Sequence, residues 1–233
     1  LICVHVFGHA AEINEISRIC KKYKKILIED AAEAIGSYYK NKHLGTFGDF
    51  GVISFNGNKI ITTGGGGAIL TNSKKIYKKA LSLTTIARKK SSSWSYDYDD
   101  IGYNYRLPGI NSSLGISQLK KLNKLLLIKK KIFSEYKKFF KNNIDFKLID
   151  EPKNSKSNHW LNAIFIFNSN LSLRNKIIRE TNKKGIGIRP VWKLMHKIKH
   201  LSKYPKMNLN NSEKLEKGII NLPSSPKIYE KKI

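Results

Sequence analysis

Lys59 has the setting that most suggests chemistry. It stands in Ser54-Phe55-Asn56-Gly57-Asn58-Lys59-Ile60-Ile61-Thr62-Thr63, ahead of four consecutive glycines, Gly64 to Gly67. Upstream, the apolar run Ile26-Leu27-Ile28 ends in two carboxylates, Glu29 and Asp30. An amine on a loop and an acid at a strand end are what a pyridoxal phosphate site requires. The amine links to the aldehyde, and the acid keeps the ring nitrogen protonated so that the ring can draw electrons. By number alone, any lysine here reads as a surface residue. The turn before Lys59 and the glycines after it set this one apart. Glycine permits close backbone approach to a ligand, and it would weaken a plain strand by about 0.5–1 kcal/mol per residue.

Other chemistries fit less well. A nucleotide-triphosphate loop needs lysine and serine or threonine right after its last glycine, at a helix start. Here Ala68-Ile69-Leu70 follows and reads as a strand. Asp30 fits a helix cap ahead of Ala31 to Ala34 equally well, with Glu33 as a capping-box partner or at a cofactor edge. His196 and His200 have helical i, i+4 spacing, but Lys197 stands where a zinc protease places glutamate, so no metal site is expected.

The elements that must position these residues read as alternating α and β. Leu1 to Val6 is a predicted strand, Gly8 a turn, Glu12 to Tyr23 a helix and Ile26 to Ile28 a strand. Such a β-α-β unit has parallel strands, which puts Asp30 at the carboxyl edge where open α/β sheets bind ligands. Strands are expected over Phe50–Phe55 and 68–70, and a helix over 74–83. Residues 89–105 read as a loop with Trp94 as an anchor. A long helix is expected from Asn111 to Phe140, its inner stripe including Leu114, Leu119, Leu126, Phe133 and Tyr136. The polar stretch 144–158, with Pro152, suggests a boundary between a larger domain (1–143) and a smaller α/β domain (144–233). The latter would hold a strand at 160–167, a helix at 172–184 closed by Gly185, a strand at 186–188 and a turn-rich exit at 221–226.

The net charge of +27 raises nucleic acid or an anionic surface as a partner. The excess is almost all lysine, since arginine occupies only positions 18, 88, 106, 174, 179 and 189. Groove readers lean on arginine. The lysines, Lys120-Lys121 and Lys129-Lys130-Lys131 among them, read as solvated helix faces, and nucleic-acid binding is the lesser reading. Opening directly in a strand-like run without methionine suggests a chain lacking an N-terminal portion. No secretory signal or membrane span is visible, and Cys3 and Cys20 read as reduced core thiols, so a cytoplasmic protein is expected.

Four segments in order resemble the sugar-nucleotide aminotransferases of the DegT/StrS type, pyridoxal 5'-phosphate enzymes of fold type I. They are Val4-His5-Val6-Phe7-Gly8, Glu29-Asp30-Ala31-Ala32-Glu33-Ala34, Ser54 through Gly67, and Gly102-Tyr103-Asn104-Tyr105-Arg106-Leu107 with Gly115 and Gln118-Leu119. The resemblance implies a partial large domain with a mixed, mostly parallel sheet, plus a smaller C-terminal α/β domain. It implies that Lys59 is the Schiff-base lysine and proton shuttle and that Asp30 pairs with the pyridinium nitrogen. Ser54 would bind the cofactor phosphate, and Asn104 the phosphate of a neighbouring subunit, hence a homodimer with shared active sites. Glu33 departs from the family's common glutamine near the ring hydroxyl, and an ionised carboxylate accepts but cannot donate. Trp192 and His196 align with a segment near the substrate pocket and fit packing or surface positions equally well. The motif variant looks most like the legionaminic-acid-pathway branch. The implied reaction moves an amino group from L-glutamate to a nucleotide-linked 4-keto-6-deoxy sugar. A basic RNA- or anionic-surface-binding module and an inactive remnant of the fold are the alternatives.

Overall fold

Ile13, Ile16 and Cys20 recur on one face of the stretch after Gly8; once that stretch coils into a helix, Ile13 and Cys20 are buried and Ile16 packs against them, partly covered. The structure is a computed structural model that describes residues 1–89, 94–168 and 170–230. Positions 90–93, inside the loop expected over 89–105, lie outside the described residues. β1 (Ile2–Val4), α1 (Ile13–Lys22) and β2 (Ile28–Asp30) form the β-α-β unit. β3 (Tyr38–Tyr39), β4 (Lys42–His43), β5 (Phe50–Ser54) and β6 (Gly67–Leu70) follow, then α2 (Lys74–Thr84) and α3 (Gly109–Phe140). The remainder holds β7 (Phe146–Leu148), β8 (Ser155–Lys156), β9 (Asn162–Ile166), α4 (Leu171–Lys183), β10 (Arg189–Pro190), α5 (Asn210–Gly218), β11 (Ile219–Leu222) and α6 (Lys227–Glu230).

These elements form two compact units. One is Leu1–Leu126 with Glu151–Trp160; the other is Leu127–Asp150 with the chain from Leu161 onward. A single cut between 143 and 144 does not describe this division. Residues 151–160 join the first unit because β8 pairs with β3. The second half of α3 joins the other because Phe133, Tyr136 and Phe140 pack in its core.

In the first unit the sheet order is β1-β2-β5-β6, parallel except for the antiparallel β5–β6 hairpin. β2 lies between β1 and β5 with Val4, Asp30 and Val52 in register, so Asp30 ends a central strand. The core beneath holds Cys3, Ile13, Cys20 and Leu27, beside a second cluster of Ala10, Ala31, Ala34, Leu44 and Ile53. Burial, with the charge of Glu29 next, pushes the Cys3 thiol up to about 11, which keeps it protonated and inert. Trp94, expected as an anchor, is fully solvent-exposed among the described residues.

In the second unit the sheet order is β10-β11-β9-β7, antiparallel throughout. The strand expected at 186–188 forms instead at Arg189–Pro190, because Asn182 ties both backbone groups of Ile188 to its side chain. Asn221 and Leu222, read as a turn-rich exit, belong to β11 inside the sheet; Pro223 then ends the strand. Along α3 the expected inner stripe is buried only in part. Leu114 and Leu119 are exposed, whereas Ile132, Phe133 and, unexpectedly, Lys129 are buried.

Lys129 therefore does not lie on a solvated face. It precedes Ile132, Phe133 and Tyr136 at spacings of three, four and seven, which puts it on the core stripe. Its Nζ donates to the carbonyl oxygen of Ser224 at 2.7 Å. Burial lowers the amine to about 7, against about 10.4 in an unfolded chain. Between pH 7 and 10 the unfolded chain then binds more protons than the folded one, so stability rises with pH across that window and is flat below it. Lys129→Met, which keeps the stem and removes the charge, is expected to stabilise the chain by about 1–3 kcal/mol at pH 6. It should also abolish that rise. Urea unfolding of both proteins at pH 6, 8 and 10 reads the difference; equal pH profiles would exclude a charge-burial cost at this position.

Candidate active site

The lysine loop is the connection of the β5–β6 hairpin. Ser54 pairs with Gly67, and the Phe55 amide donates to the Gly66 carbonyl at 3.0 Å, so the two ends are clamped. Between them the Lys59 amide donates to the Asn56 carbonyl, and Thr63 N–H and the Thr62 hydroxyl both donate to the Phe55 carbonyl. The chain returns through Gly64 and Gly66 at φ of 80° and 92°, a conformation that favours glycine. This is why the glycine run follows the lysine: it turns the loop back so that Lys59 is held over the carboxyl edge of the sheet.

Asp30 does not cap a helix. Residues 31–36 form two successive turns, with Ala34 N–H on the Ala31 carbonyl and Ser37 N–H on that of Ala34. Asp30 Oδ1 accepts the Ala32 amide at 3.1 Å, which fixes the carboxylate at the strand end. Glu33 is not a capping-box partner either. Its Oε2 accepts the Phe7 amide at 2.7 Å, and its Oε1 lies 3.9 Å from Lys59 Nζ. Phe7 reaches that position because the chain turns at Gly8 (φ 83°), where an added Cβ would lie 2.0 Å from Asn158 Oδ1.

Charge balance around the amine follows from this packing. Burial lowers Lys59 from the ordinary lysine range, and the nearby charges of Glu33 and Asp30 oppose it without winning. Burial likewise raises Glu33, against the Phe7 amide and the Lys59 charge. Burial thus shifts the amine toward its neutral form and the neighbouring carboxyl toward its acid form, which brings their proton affinities closer together.

Sequence reasoning missed two residues. Trp160 was expected to open a strand of the smaller domain, yet it belongs to the first unit, with its ring centroid 3.9 Å from Lys59 Nζ. No spacing rule links positions 59 and 160. Glu29 is fully buried, and strand alternation could have found it, since adjacent residues of β2 face opposite sides. Its Oε2 accepts from His5 Nε2 and the Gly45 amide, and its Oε1 from the Phe47 and Gly48 amides. His5 Nδ1 accepts from the Ala11 amide, so the proton that bonds Glu29 is on Nε2. Burial drives Glu29 up, but the His5 bond and the backbone amides outweigh it and hold the carboxyl below its usual range.

Of the sequence-predicted site residues, Lys59, Glu33, Asp30 and Ser54 gather at the carboxyl edge of the first sheet. Ser54 Oγ accepts the Asn56 amide at 3.2 Å, which leaves the hydroxyl proton to donate elsewhere. Asn104 is exposed and bridges to Thr85. Trp192 and His196 belong to the second unit, where His196 Nε2 lies 3.0 Å from Glu213 Oε1.

A model of the DegT/DnrJ/EryC1/StrS aminotransferase family matches residues 1–233. The chain is 38% identical over 196 residues to the putative pyridoxal phosphate-dependent aminotransferase EpsN of Bacillus subtilis, covering 84% of this chain and 50% of the relative. To the GDP-perosamine synthase of Escherichia coli O157:H7 it is 35% identical over 237 residues, covering 100% of this chain and 62% of that protein. Among solved structures it resembles Helicobacter pylori PseC, an aminotransferase involved in the biosynthesis of pseudoaminic acid. There the TM-score is 0.92 at 28% identity, with 97% of this chain and 61% of the other covered. The chain thus spans between half and two thirds of the length of these proteins.

Proposed function

The chain belongs to the DegT/DnrJ/EryC1/StrS aminotransferase family, and from that premise we propose that it carries the lysine-bearing half of a pyridoxal phosphate-dependent sugar-nucleotide aminotransferase. The observation that carries the reading is Lys59 itself: a half-buried amine shifted toward neutrality, beside the strand-end acid Asp30. These residues fit the cofactor, because a nucleophilic amine and a fixed carboxylate are the two groups it needs from a protein. When bound, it supplies an aldehyde for the amine and a ring that draws electrons from the substrate carbon.

Each residue has a task. Lys59, once neutral, takes a proton from the substrate carbon at Nζ and returns it to another atom; burial shifts the amine toward that neutral form. Asp30 stays fixed by the Ala32 amide and holds a ring N–H. Ser54 donates its hydroxyl proton to a phosphate oxygen, and Asn104 donates a side-chain amide N–H to the phosphate held by a second copy, so the working protein is a homodimer. The first unit, which carries Asp30, Ser54 and Lys59, binds the cofactor. Trp192 and His196 of the small domain line the sugar pocket.

The amino donor is L-glutamate and the acceptor a nucleotide-linked 4-keto-6-deoxy sugar, made in the cytoplasm for a surface polysaccharide or nonulosonic acid. The nucleotide sugar in the name of the similar GDP-perosamine synthase supports the nucleotide-sugar class; the motif variant around Glu33 and Lys59 supports the legionaminic-acid branch. No helix among the described residues is long and apolar enough to cross a membrane.

Pyridoxal phosphate added to the protein is expected to produce a visible absorbance band. Borohydride should convert it to a stable adduct on Lys59, located by peptide mass, and L-glutamate should bleach it. A protein that gives no band, or an adduct on some other lysine, would refute the assignment.

A further inference from the structure

We propose that Trp160 is a positioning residue for Lys59: its indole face and the Glu33 carboxylate hold the amine while it carries a proton and release it once the proton has gone. The proposal rests on the functional reading above but concerns the chain's own residues.

The geometry is specific. Lys59 Nζ lies 3.9 Å from the Trp160 ring centroid and 3.9 Å from Glu33 Oε1. Both contacts act on an ammonium and not on a neutral amine, the first through the negative face of the indole and the second through charge. The indole is only 4% exposed and cannot drift, since its Nε1 donates to the Asn58 carbonyl at 2.8 Å, next to Lys59 in the chain. The Trp160 amide donates to Asn158 Oδ1, and Asn158 Nδ2 donates in turn to the carbonyls of Glu33 and Ile35. The Asn158 amide donates to Ser37 Oγ. The segment that carries the ring is therefore bonded to the turn that carries the carboxylate, and both face the amine from one buried block.

The titratable groups that act on Lys59 are Glu33 and Asp30, whose charges favour the protonated amine, while burial disfavours it. The indole adds to the side of the carboxylates without contributing a charge of its own. During proton transfer the lysine passes between its neutral and charged forms. A cradle that binds only the charged form draws the nitrogen back after it has taken the proton, and frees it after it has given the proton up. The proton itself moves between substrate and Nζ alone, so no further reactant is involved.

The test reads the proton affinity of Lys59 with no cofactor present. The protein is labelled with trace acetic anhydride across pH 6–11, and acylation of the Lys59 peptide is followed by mass spectrometry. Trp160→Leu is expected to lower the midpoint of Lys59 by roughly half to one pH unit, with three- to tenfold more labelling on the rising limb. Trp160→Phe, which keeps an aromatic face and loses the Nε1 donor, should retain much of the wild-type value. Should the leucine variant fail to fold, progressively fluorinated tryptophan preserves the shape of the ring and removes its negative face. The Lys59 midpoint should then fall stepwise with each added fluorine. A midpoint that stays constant along that series, or in a folded leucine variant, overturns the proposal. A missing cofactor band would defeat the functional reading instead, so the two failures are distinguishable.

Discussion

Lys59→Ala is expected to lower amino transfer by about 10³-fold or more while leaving the fold intact. Proton transfer by a positioned side chain is worth roughly 10²–10⁴-fold, and the same residue also supplies the covalent attachment point. The fold should survive because Lys59 lies in the hairpin connection, whose shape depends on backbone bonds and on Thr62 and Thr63 rather than on the amine. Removing the ammonium leaves Glu33 without its positive neighbour, so its carboxyl, already raised by burial, should rise further. Lys59→Arg separates charge from proton transfer: guanidinium keeps the positive charge but does not deprotonate. It should be as inactive as the alanine variant. The check is kcat for the proposed amination of a nucleotide-linked keto sugar with L-glutamate as donor, with the melting temperature measured alongside. Activity within tenfold of wild type in either variant would remove Lys59 from the chemistry.

Glu29→Ala should cost about 3–5 kcal/mol of folding free energy, a large share of the roughly 5–15 kcal/mol available to a typical chain. The carboxylate takes two donors on each oxygen, from His5 and Gly45 on one and from Phe47 and Gly48 on the other, with the residue fully buried. Alanine leaves all four donors without an acceptor in a site water does not reach. Glu29→Gln is a sharper test, because its size is nearly unchanged. Whichever way the amide turns, its NH₂ faces two donors, so a loss of about 2 kcal/mol or more is expected. Since the folded carboxyl titrates below its unfolded value, its stabilisation is fully present above pH 4.5 and is lost as pH falls through the folded value. Denaturant midpoints between pH 3 and 7 read both effects. A glutamine variant as stable as wild type would show that this network holds nothing together.

The two carboxylates that end β2 divide their work by alternation. Glu29 points into the core and anchors the 45–48 loop, while Asp30 ends the strand with its side chain on the Ala32 amide. Sequence reading took the pair as one acidic feature and assigned chemistry to Asp30 alone. Lys129 went astray for a related reason. In a chain with 44 lysines and arginines, another lysine on a helix reads as solvated, and only the packing of α3 buries it and brings its Nζ to the Ser224 carbonyl. The small second sheet was partly hidden because β10 is two residues long and β11 ends in Asn221-Leu222 just ahead of Pro223, a run of turn residues rather than a strand pattern.

What this sequence determined by itself was local: the β-α-β unit, the strand that ends in Asp30, the hairpin loop with Lys59 ahead of its glycines, and the family to which they belong. Periodicity, turn chemistry and glycine placement act over a few residues, so they can be read without knowing what lies across the fold. The tertiary structure alone decided which groups surround the amine. Trp160 stands about one hundred positions beyond Lys59 in the chain and reaches it because β8 pairs with β3 and Asn158 bonds the turn after Asp30. Burial, charge proximity and ring contact depend on distances through space. Those distances exist only after the chain has closed on itself.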